Sequence, residues 1–321
     1  MINVGRNYLF SDRIDLNLSL FLERKMRGII YCICVAFLFL QSVYAQDVSV
    51  VIIYTHNTNA VFENCDCPDN SYGGLEKRAA VIDSIRRAEK NVLLVDCGDM
   101  LDIFENHLLH EYIVRAYRMM KYDFWTAGDQ DFVEGISFFT QDMGDNIGQL
   151  ISSNIRINGK NAGQTNAIRT FGKIRIGLTG TIRKDVNKYL DAKTKPFVTF
   201  EDQVNALRPV ITALEQKADY IILLSHSGDM RDTEIAAEFP QIDLIIGGHS
   251  QTLMPEPLRK NNTLITQVGE SGHRLGVIKL DFSGGKISSV KSRVILLKKE
   301  MKSDPNMDEL IKAYHAERSK K

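Results

Sequence analysis

The sequence predicts an α/β protein with a largely parallel sheet, and three observations support this. Short apolar segments, typical of strands buried on both faces, alternate with amphipathic segments typical of helices. Several apolar segments end in glycine beside a polar residue, as in Asp96-Cys-Gly-Asp99. The sequence from Leu264 to Leu297 is rich in predicted strands. We therefore expect a second sheet that packs against the first.

The predicted elements follow one another in a regular order. Strands are predicted over 48–55, 92–96, 124–127, 150–154, 174–180, 220–224 and 242–246. Helices are predicted over 75–90, 107–120, 202–217, 233–238 and 307–318. Because ligands of open α/β sheets bind beyond the carboxyl ends of the strands, the polar residues that follow the strands are the candidate site.

The length and charge of the chain limit its class. It has 321 residues, enough for one large α/β domain or two small ones. The 40 Lys and Arg residues balance the 40 Asp and Glu residues, and no long basic run occurs after residue 46. The sequence therefore predicts no nucleic-acid partner.

Residues 1–45 contain basic, apolar and small residues in the order typical of a secretory signal peptide. Basic residues within 24–27 precede an apolar run at 29–40, and small residues follow up to Ala45. The run is shorter than the ~20 apolar residues of a spanning helix. We expect cleavage before Gln46, export to the periplasm or the extracellular space, and no stable membrane span in the mature protein. The alternative is an uncleaved membrane anchor.

Carboxylates and histidines follow several of the predicted strands. A single histidine at a strand end is more often a surface or core residue than a ligand. Two histidines and two carboxylates at equivalent ends favour a metal site, and this donor set suits manganese, iron or zinc. These four residues are Asp99, Asp129, His226 and His249. We expect the histidines away from strand ends to lie at the surface: His107, His110, His273 and His315.

The order of these motifs resembles that of calcineurin-like metallophosphoesterases, in particular the 5′-nucleotidase and UDP-sugar hydrolase branch. That branch has T-N-D-x-H, G-G, G-D, G-N-H-E, S-H-x-G and G-G-H-S-H in succession. The corresponding segments here are Thr55-His-Asn-Thr-Asn59, Gly73-Gly74, Gly98-Asp99, Gly128-Asp-Gln-Asp131, Ser225-His-Ser-Gly228 and Gly247-Gly-His-Ser-Gln251. The resemblance spans roughly residues 48–285.

The resemblance implies a four-layer α/β/β/α sandwich of the metallophosphoesterase type, with two metals at the strand ends. We expect this domain over residues 46–300, followed by a charged C-terminal helix over 301–321. By motif position, one metal would be held by Asp99, Asp129, His226 and His249. Asp129 stands where the family has asparagine, so this site gains one negative charge.

The second metal site and the catalytic histidine of the family are altered. By motif position, the second site would use Asn57, Asn59 and Gln251 together with Asp99. Amide oxygens are weak, uncharged ligands, so we expect poor binding of a second ion there. Gln130 stands where the family has its histidine, and glutamine cannot give up a proton.

The cysteines offer three alternatives. Cys65, Cys67 and Cys97 remain after signal cleavage, which is an odd number for an oxidising compartment. Cys97 could pair with one of the other two, the thiolates could replace the lost ligands of the second site, or the thiols could be free and unrelated. Cys97 could also point into the sheet as a small buried apolar residue.

Two functions follow from these expectations. The first is an exported metal-dependent phosphoesterase in which a metal-activated water attacks a small phosphorylated substrate, with Gln130, Asn57 and Asn59 orienting the substrate oxygens. The second is a non-catalytic or redox metal-binding protein on the same fold, motivated by the altered positions.

Overall fold

Two six-stranded sheets form the centre of the protein. A computed structural model describes residues 25–26, 47–64 and 71–320, and Val48–Lys321 forms one compact unit. The predicted signal segment lies almost entirely outside the described residues, so its cleavage stays a prediction. In the part of the chain that is described, no helix combines the length and apolar character needed to cross a bilayer.

The first sheet has the strand order β15-β14-β1-β2-β3-β4. Strands β1 to β4 run parallel, and β14 and β15 complete the sheet in antiparallel pairing. Its strands are β1 (Val48–Thr55), β2 (Val92–Asp96), β3 (Phe124–Trp125), β4 (Gln149–Leu150), β14 (Arg274–Ser283) and β15 (Lys286–Leu296).

The second sheet has the order β12-β13-β11-β10-β8-β7, with four parallel strands between two antiparallel edges. Its strands are β7 (Asn166–Phe171), β8 (Ile174–Ile182), β10 (Tyr220–His226), β11 (Leu244–Gly247), β12 (Leu258–Lys260) and β13 (Thr263–Thr266). A small third sheet contains β5 (Ile155–Ile157), β6 (Lys160–Asn161) and β9 (Val198–Phe200).

Helices cover the outer faces of the two large sheets. The longer helices are α1 (Leu75–Ala88), α2 (His107–Met120), α3 (Gln203–Glu215), α4 (Asp229–Glu238) and α5 (Pro305–Arg318). Apolar residues of α1, α2 and α5 share one core with the outer face of the first sheet. Residues of α3 and α4 share another with the outer face of the second sheet. The order of layers is therefore α/β/β/α, which confirms the predicted fold class.

The alternation of side chains along β1 shows why the layers stack in this way. Val50, Ile52 and Tyr54 point into the core between the two sheets. Val51 and Ile53 point to the helices on the other side. Because successive side chains of a strand face opposite sides, a strand between two layers must be apolar at nearly every position. This is the pattern by which the sequence identified the buried strands.

The predicted elements agree with the structure except at some ends. Strands β1 and β2 and helix α2 have the predicted bounds. Two strands of the first sheet are shorter than predicted: β3 ends at Trp125 and β4 at Leu150. Strand β10 extends to His226, which places this histidine inside the sheet rather than after it.

Candidate active site

The loops after β1 and β2 leave the sheet side by side. The backbone N–H of Asn57 donates to the carbonyl oxygen of Gly98 at 2.8 Å, and the N–H of Asn59 donates to that of Asp99 at 3.0 Å. The ladder between the two parallel strands is thus prolonged beyond their ends. It holds the amides of the first loop next to the carboxylate of the second.

Four side chains with metal-binding atoms converge at this edge. Asp99, Asp129, His226 and His249 each place one such atom within 4.8 Å of the others. We call these four residues the carboxylate–imidazole group. His226 Nε2 lies 3.2 Å from Asp99 Oδ2 and 3.4 Å from Asp129 Oδ1. His249 Nδ1 lies 3.2 Å from Asp129 Oδ1.

The tautomer of His226 is fixed by the backbone. Its Nδ1 lies 2.6 Å from the carbonyl oxygen of Cys97. A carbonyl can only accept, so Nδ1 carries the hydrogen and Nε2 of the neutral ring presents its lone pair. Nε2 is buried and has no hydrogen-bond partner among the described residues. An orphaned ring nitrogen that faces two carboxylates suits a divalent cation, and the donor set fits one.

The two carboxylates of this group also favour a positive charge beside them. Burial lowers the pKa of His226, but Asp99 and Asp129 outweigh that effect, and the pKa lies well above its ordinary value. Burial raises the pKa of Asp129, yet the neighbouring imidazoles of His226 and His249 hold it well below its usual range. Two carboxylates in this space need a cationic partner, which is either a proton on an imidazole or a metal ion.

Two glycines allow the loops to approach this closely. Gly98 has a φ of +87°, and a Cβ built on it would lie 2.3 Å from the backbone nitrogen of Gly128. A Cβ on Gly128 would lie 2.2 Å from Asp99 Oδ1. Both distances are far inside van der Waals contact, so a side chain at position 98 would displace the backbone of Gly128, and one at position 128 would displace Asp99.

Three amide side chains stand at the positions to which the family resemblance assigns a second metal: Asn57, Asn59 and Gln251. We call them the amide group. The oxygen of Asn57 accepts from His56 Nδ1 at 2.9 Å and from the backbone N–H of His249 at 2.9 Å. Its Nδ2 donates to Asp99 Oδ2 at 2.8 Å.

The orientation of the Asn57 amide follows from His56. The backbone N–H of Val268 donates to His56 Nε2 at 2.8 Å, so the hydrogen of the neutral ring is on Nδ1. Burial lowers the pKa of His56 to about 4, which keeps the ring neutral. The Asn57 oxygen therefore faces two donors and its N–H faces Asp99. The side chain of Asn57 is fully buried and donates to Asp99, and its expected role in orienting substrate stays a prediction.

The other two amides bond to each other. Asn59 Nδ2 donates to Gln251 Oε1 at 2.9 Å, and Asn59 Oδ1 is buried without a partner among the described residues. Two residues of the amide group are thus connected by a hydrogen bond between neutral side chains. The unpaired Asn59 oxygen suits a hydroxyl or a water as its partner, since it can only accept.

Gln130 is next to Asp129 in the chain and contacts the carboxylate–imidazole group through its backbone. Its backbone N–H donates to Asp99 Oδ1 at 3.1 Å, and its side chain is half-buried. The structure thus brings Gln130 to the site where the family motif has histidine. A neutral amide at this position can donate a hydrogen bond without releasing a proton.

Cys97 is neither a disulfide partner nor a ligand of the second site. It is a free, buried cysteine whose Sγ donates to the carbonyl oxygen of Ile246 at 3.1 Å. It belongs to the core between the sheets, on the same side as Leu93 and Val95, and burial raises the pKa of its thiol well above the ordinary value. Cys65 and Cys67 lie outside the described residues.

Asp131 is a site residue that we did not single out from the sequence. Its carboxylate accepts from the backbone N–H groups of Asp99 at 3.0 Å, Met100 at 2.9 Å, Leu101 at 3.3 Å and Gly128 at 2.8 Å. It therefore ties together the two loops that carry Asp99 and Asp129. The acidic residue at the end of the family's G-N-H-E motif was the signal for it.

The prediction that His110 lies at the surface is wrong. Its side chain is fully buried, and Nδ1 lies 2.7 Å from Glu134 Oε1. Helix α2 is amphipathic, and His110 is on its inward face with Tyr117 and Ile113. The charged partner makes burial of the imidazole possible.

The backbone of the site is unusual at five positions. Positive φ angles occur at Asn57 (44°), Asn59 (50°), Asp99 (57°), His249 (74°) and Gln251 (54°). Residues other than glycine adopt this left-handed region uncommonly. Every one of these residues belongs to one of the two side-chain groups of the site, so the constraint is concentrated where the loops leave the sheets.

Comparison with known proteins identifies the family of this chain. The family model for calcineurin-like phosphoesterases matches residues 55–252. The chain is 26% identical over 291 residues to a snake venom 5′-nucleotidase from Naja atra, covering 80% of this chain and 55% of that protein. It is 25% identical to a 5′-nucleotidase of Homo sapiens, covering 80% of this chain and 51% of that protein. The chain therefore spans about half the length of these relatives.

Solved structures share the fold. A 5′-nucleotidase precursor from Thermus thermophilus superposes with a TM-score of 0.76 at 21% identity, covering 85% of this chain and 59% of that one. The calcineurin-like phosphoesterase YfkN from Bacillus subtilis gives a TM-score of 0.73 at 20% identity, covering 85% of this chain and 98% of the other. The second match shows the same fold in a chain of similar extent.

Proposed function

Because this chain belongs to the calcineurin-like phosphoesterase family, we propose that it is a metal-dependent hydrolase of small phosphorylated compounds. The carboxylate–imidazole group carries the proposal. Its buried lone pair on His226 Nε2 faces two carboxylates within 3.4 Å, which suits a divalent cation of the manganese, iron or zinc kind.

Each residue of the site would have a distinct role. Asp99, Asp129, His226 and His249 would hold the ion, which would supply a nucleophile from water and neutralise phosphoryl charge. The Cys97 carbonyl oxygen fixes the ring of His226, and Asp131 fixes the loops of both carboxylates. Gln130 would donate a hydrogen bond to the substrate from its half-buried side chain.

We further propose that the centre holds one ion. Asn57 presents an N–H to Asp99 Oδ2, at the carboxylate that bridges two ions in the family. A donor at this distance takes one of the two lone pairs of this oxygen and places an N–H where a second ion would approach. The Asn59–Gln251 hydrogen bond closes the remaining ligand positions.

The substrate of the relatives is not assigned to this chain. The names of the matched relatives specify 5′-nucleotidases, but this chain spans about half of their length. We therefore limit the proposal to a small phosphorylated compound. Gln130 cannot protonate a leaving group, so we expect activated esters or anhydrides to be better substrates than nucleoside monophosphates.

We also propose export. The order of basic, apolar and small residues before Gln46 supports it. Intact-mass analysis of the protein from its source should give a chain that starts at Gln46. A mature chain that keeps residues 29–40 would instead indicate a membrane anchor.

Elemental analysis of the purified protein, paired with a phosphatase screen across manganese, iron and zinc, tests the function. One ion per chain with hydrolysis of activated phosphoesters supports the proposal. One ion without turnover of any substrate would favour the alternative, a metal-binding protein, which the presence of Gln130 and of the amide group motivates.

A further inference from the structure

A cavity of about 400 Å³ adjoins the carboxylate–imidazole group. Asp129 and Gln130 line one side of it. The loop after β2 and the segment after β8 line the others, through Phe104 and Tyr189. The cavity thus adjoins the site through Asp129, which belongs to the carboxylate–imidazole group, and through Gln130. Its volume is that of a small-molecule pocket.

Three large side chains with apolar faces line this cavity and are exposed, and Lys188 Nζ lies 4.8 Å from the centre of the Tyr189 ring. Phe104 is 70% exposed, Ile103 is 65% exposed and Tyr189 is 59% exposed. Phe132 and Leu190 form a buried apolar floor beneath them. Large apolar side chains grouped around one cavity, rather than scattered singly, indicate a binding surface. Aromatic rings favour other rings as partners, in offset or edge-to-face contact.

The charges at this cavity restrict what it can accept. Glu105 and Asp191 also line it, in addition to Asp129. Among the described residues that line it, none is Lys or Arg. A neighbouring cation, Lys188, lies against Tyr189 outside the lining, so a phosphate leaving group would place its charge beside the three carboxylates of the lining. An uncharged ring would bury apolar surface against Phe104 and Tyr189 instead.

We propose that this cavity binds the leaving group of the substrate, and that this group is an uncharged aromatic ring joined to phosphorus through a phenolic oxygen. The inference rests on the phosphoesterase function proposed above and narrows its substrate class to aryl phosphoesters. Gln130 supports it independently, because a phenolate needs no proton to leave whereas the alkoxide of a nucleoside does.

The reaction is balanced without an acid at position 130. The oxygen of a water molecule forms a bond to phosphorus, and the bond from phosphorus to the phenolic oxygen breaks with its electron pair. The negative charge of the phenolate is then on the oxygen next to the phosphorus, at the Gln130 end of the cavity, where the amide N–H can donate to it. A dianionic aryl phosphate and water give the phenolate and dihydrogen phosphate, so both protons of the water remain on the phosphate product.

The test compares 2-naphthyl phosphate with acetyl phosphate, an activated substrate too small to reach the cavity, and with AMP. In the Mn²⁺-loaded protein, we expect kcat/KM for 2-naphthyl phosphate to exceed that for AMP. In the Phe104→Ala/Tyr189→Ala variant, the ratio of naphthyl to acetyl phosphate hydrolysis should fall by about 10-fold or more. Ile287→Ala is the matched control. It removes an exposed apolar side chain at the far end of the first sheet and should leave the ratio unchanged.

The outcomes separate this inference from the function on which it rests. Hydrolysis of acetyl phosphate with an unchanged ratio in the double variant, or with a preference for AMP, would overturn the aryl pocket alone. Failure to hydrolyse any of the three substrates would overturn the phosphoesterase and the pocket with it. Calorimetry gives a readout without turnover: benzylphosphonate should bind about 10-fold more tightly than methylphosphonate, and equal affinities would contradict the proposal.

Discussion

The carboxylate–imidazole group and the amide group lie at the same edge of the sheets, but they satisfy their polar atoms in different ways. His226 Nε2 in the first group has no hydrogen-bond partner among the described residues and faces two carboxylates. In the second group, Asn57 and Asn59 donate to neighbouring side chains. One half of the site needs an ion to complete it, and the other half is largely complete without one.

This difference shows that the amide side chains do not merely remove metal ligands. They also form hydrogen bonds that replace some of the contacts a metal would make. The N–H of Asn57 stabilises one oxygen of Asp99 while the other oxygen accepts from the backbone of Gln130. The amide thus supplies part of the stabilisation that a second cation would give to this carboxylate. The contrast can be tested by removing a residue of the first group and by restoring charge in the second.

The largest effect should come from Asp99→Ala. This change removes the carboxylate shared by both groups, and we expect metal affinity to fall by more than the roughly 10- to 100-fold typical of residues that merely support a ligand. The fold should persist, because Leu93 and Val95 are buried between the sheets. Metal content by elemental analysis and circular dichroism check the two expectations.

Asp99→Asn is a second variant. It keeps the size of the side chain, and asparagine tolerates the left-handed backbone conformation of this position. Asp83→Ala, on the exposed face of α1, is the control and should retain full metal content. Unchanged metal content in both Asp99 variants would mean that the ion binds elsewhere.

A smaller but specific effect should come from restoring the family residues. The variant carries Asn57→Asp, Asn59→His, Gln251→His and Gln130→His together. We expect metal content to rise towards two ions per chain and phosphomonoester hydrolysis to rise by about 10²-fold, the effect of a positioned acid. Steady-state kinetics with AMP and elemental analysis measure both. Two bound ions with no hydrolysis of any phosphoester would count against the phosphoesterase.

The smallest effect should come from Asn57→Asp alone. It replaces the donor to Asp99 by a second carboxylate at 2.8 Å, so the free energy of unfolding without metal should fall by about 2 kcal/mol. Added Mn²⁺ should restore it. Asn261→Asp is the control, since Asn261 is exposed and also has a positive φ. Equal denaturant midpoints for both variants would contradict the bridging role of the amide.

The sequence was sufficient to predict the fold and the four residues of the carboxylate–imidazole group, but not the part played by Asp131. Asp99 and His249 follow segments whose apolar character on both faces is already visible in the sequence, and glycines mark the turns. The position of Cys97 was also open to prediction, because Leu93, Val95 and Cys97 alternate towards one face. Its nearness to Asp99 in the chain led us to consider it as a ligand.

The direction of the Asn57 amide could not be predicted. It depends on the tautomer of His56, which in turn depends on the backbone N–H of Val268, 212 residues away from His56. This series of hydrogen bonds forms only when distant segments of the chain pack together, so no local sequence pattern indicates it. The burial of His110 against Glu134 likewise depends on a contact between separate elements.

The left-handed residues at the strand ends have a consequence for the evolution and engineering of this protein. Asparagine and aspartate tolerate this conformation better than other residues with side chains, whereas His249 and Gln251 adopt it at greater strain. Selection for heat resistance alone would therefore favour glycine at such positions and erase the binding groups. If a more heat-resistant variant obtained by selection kept these side chains, activity must have been selected together with stability.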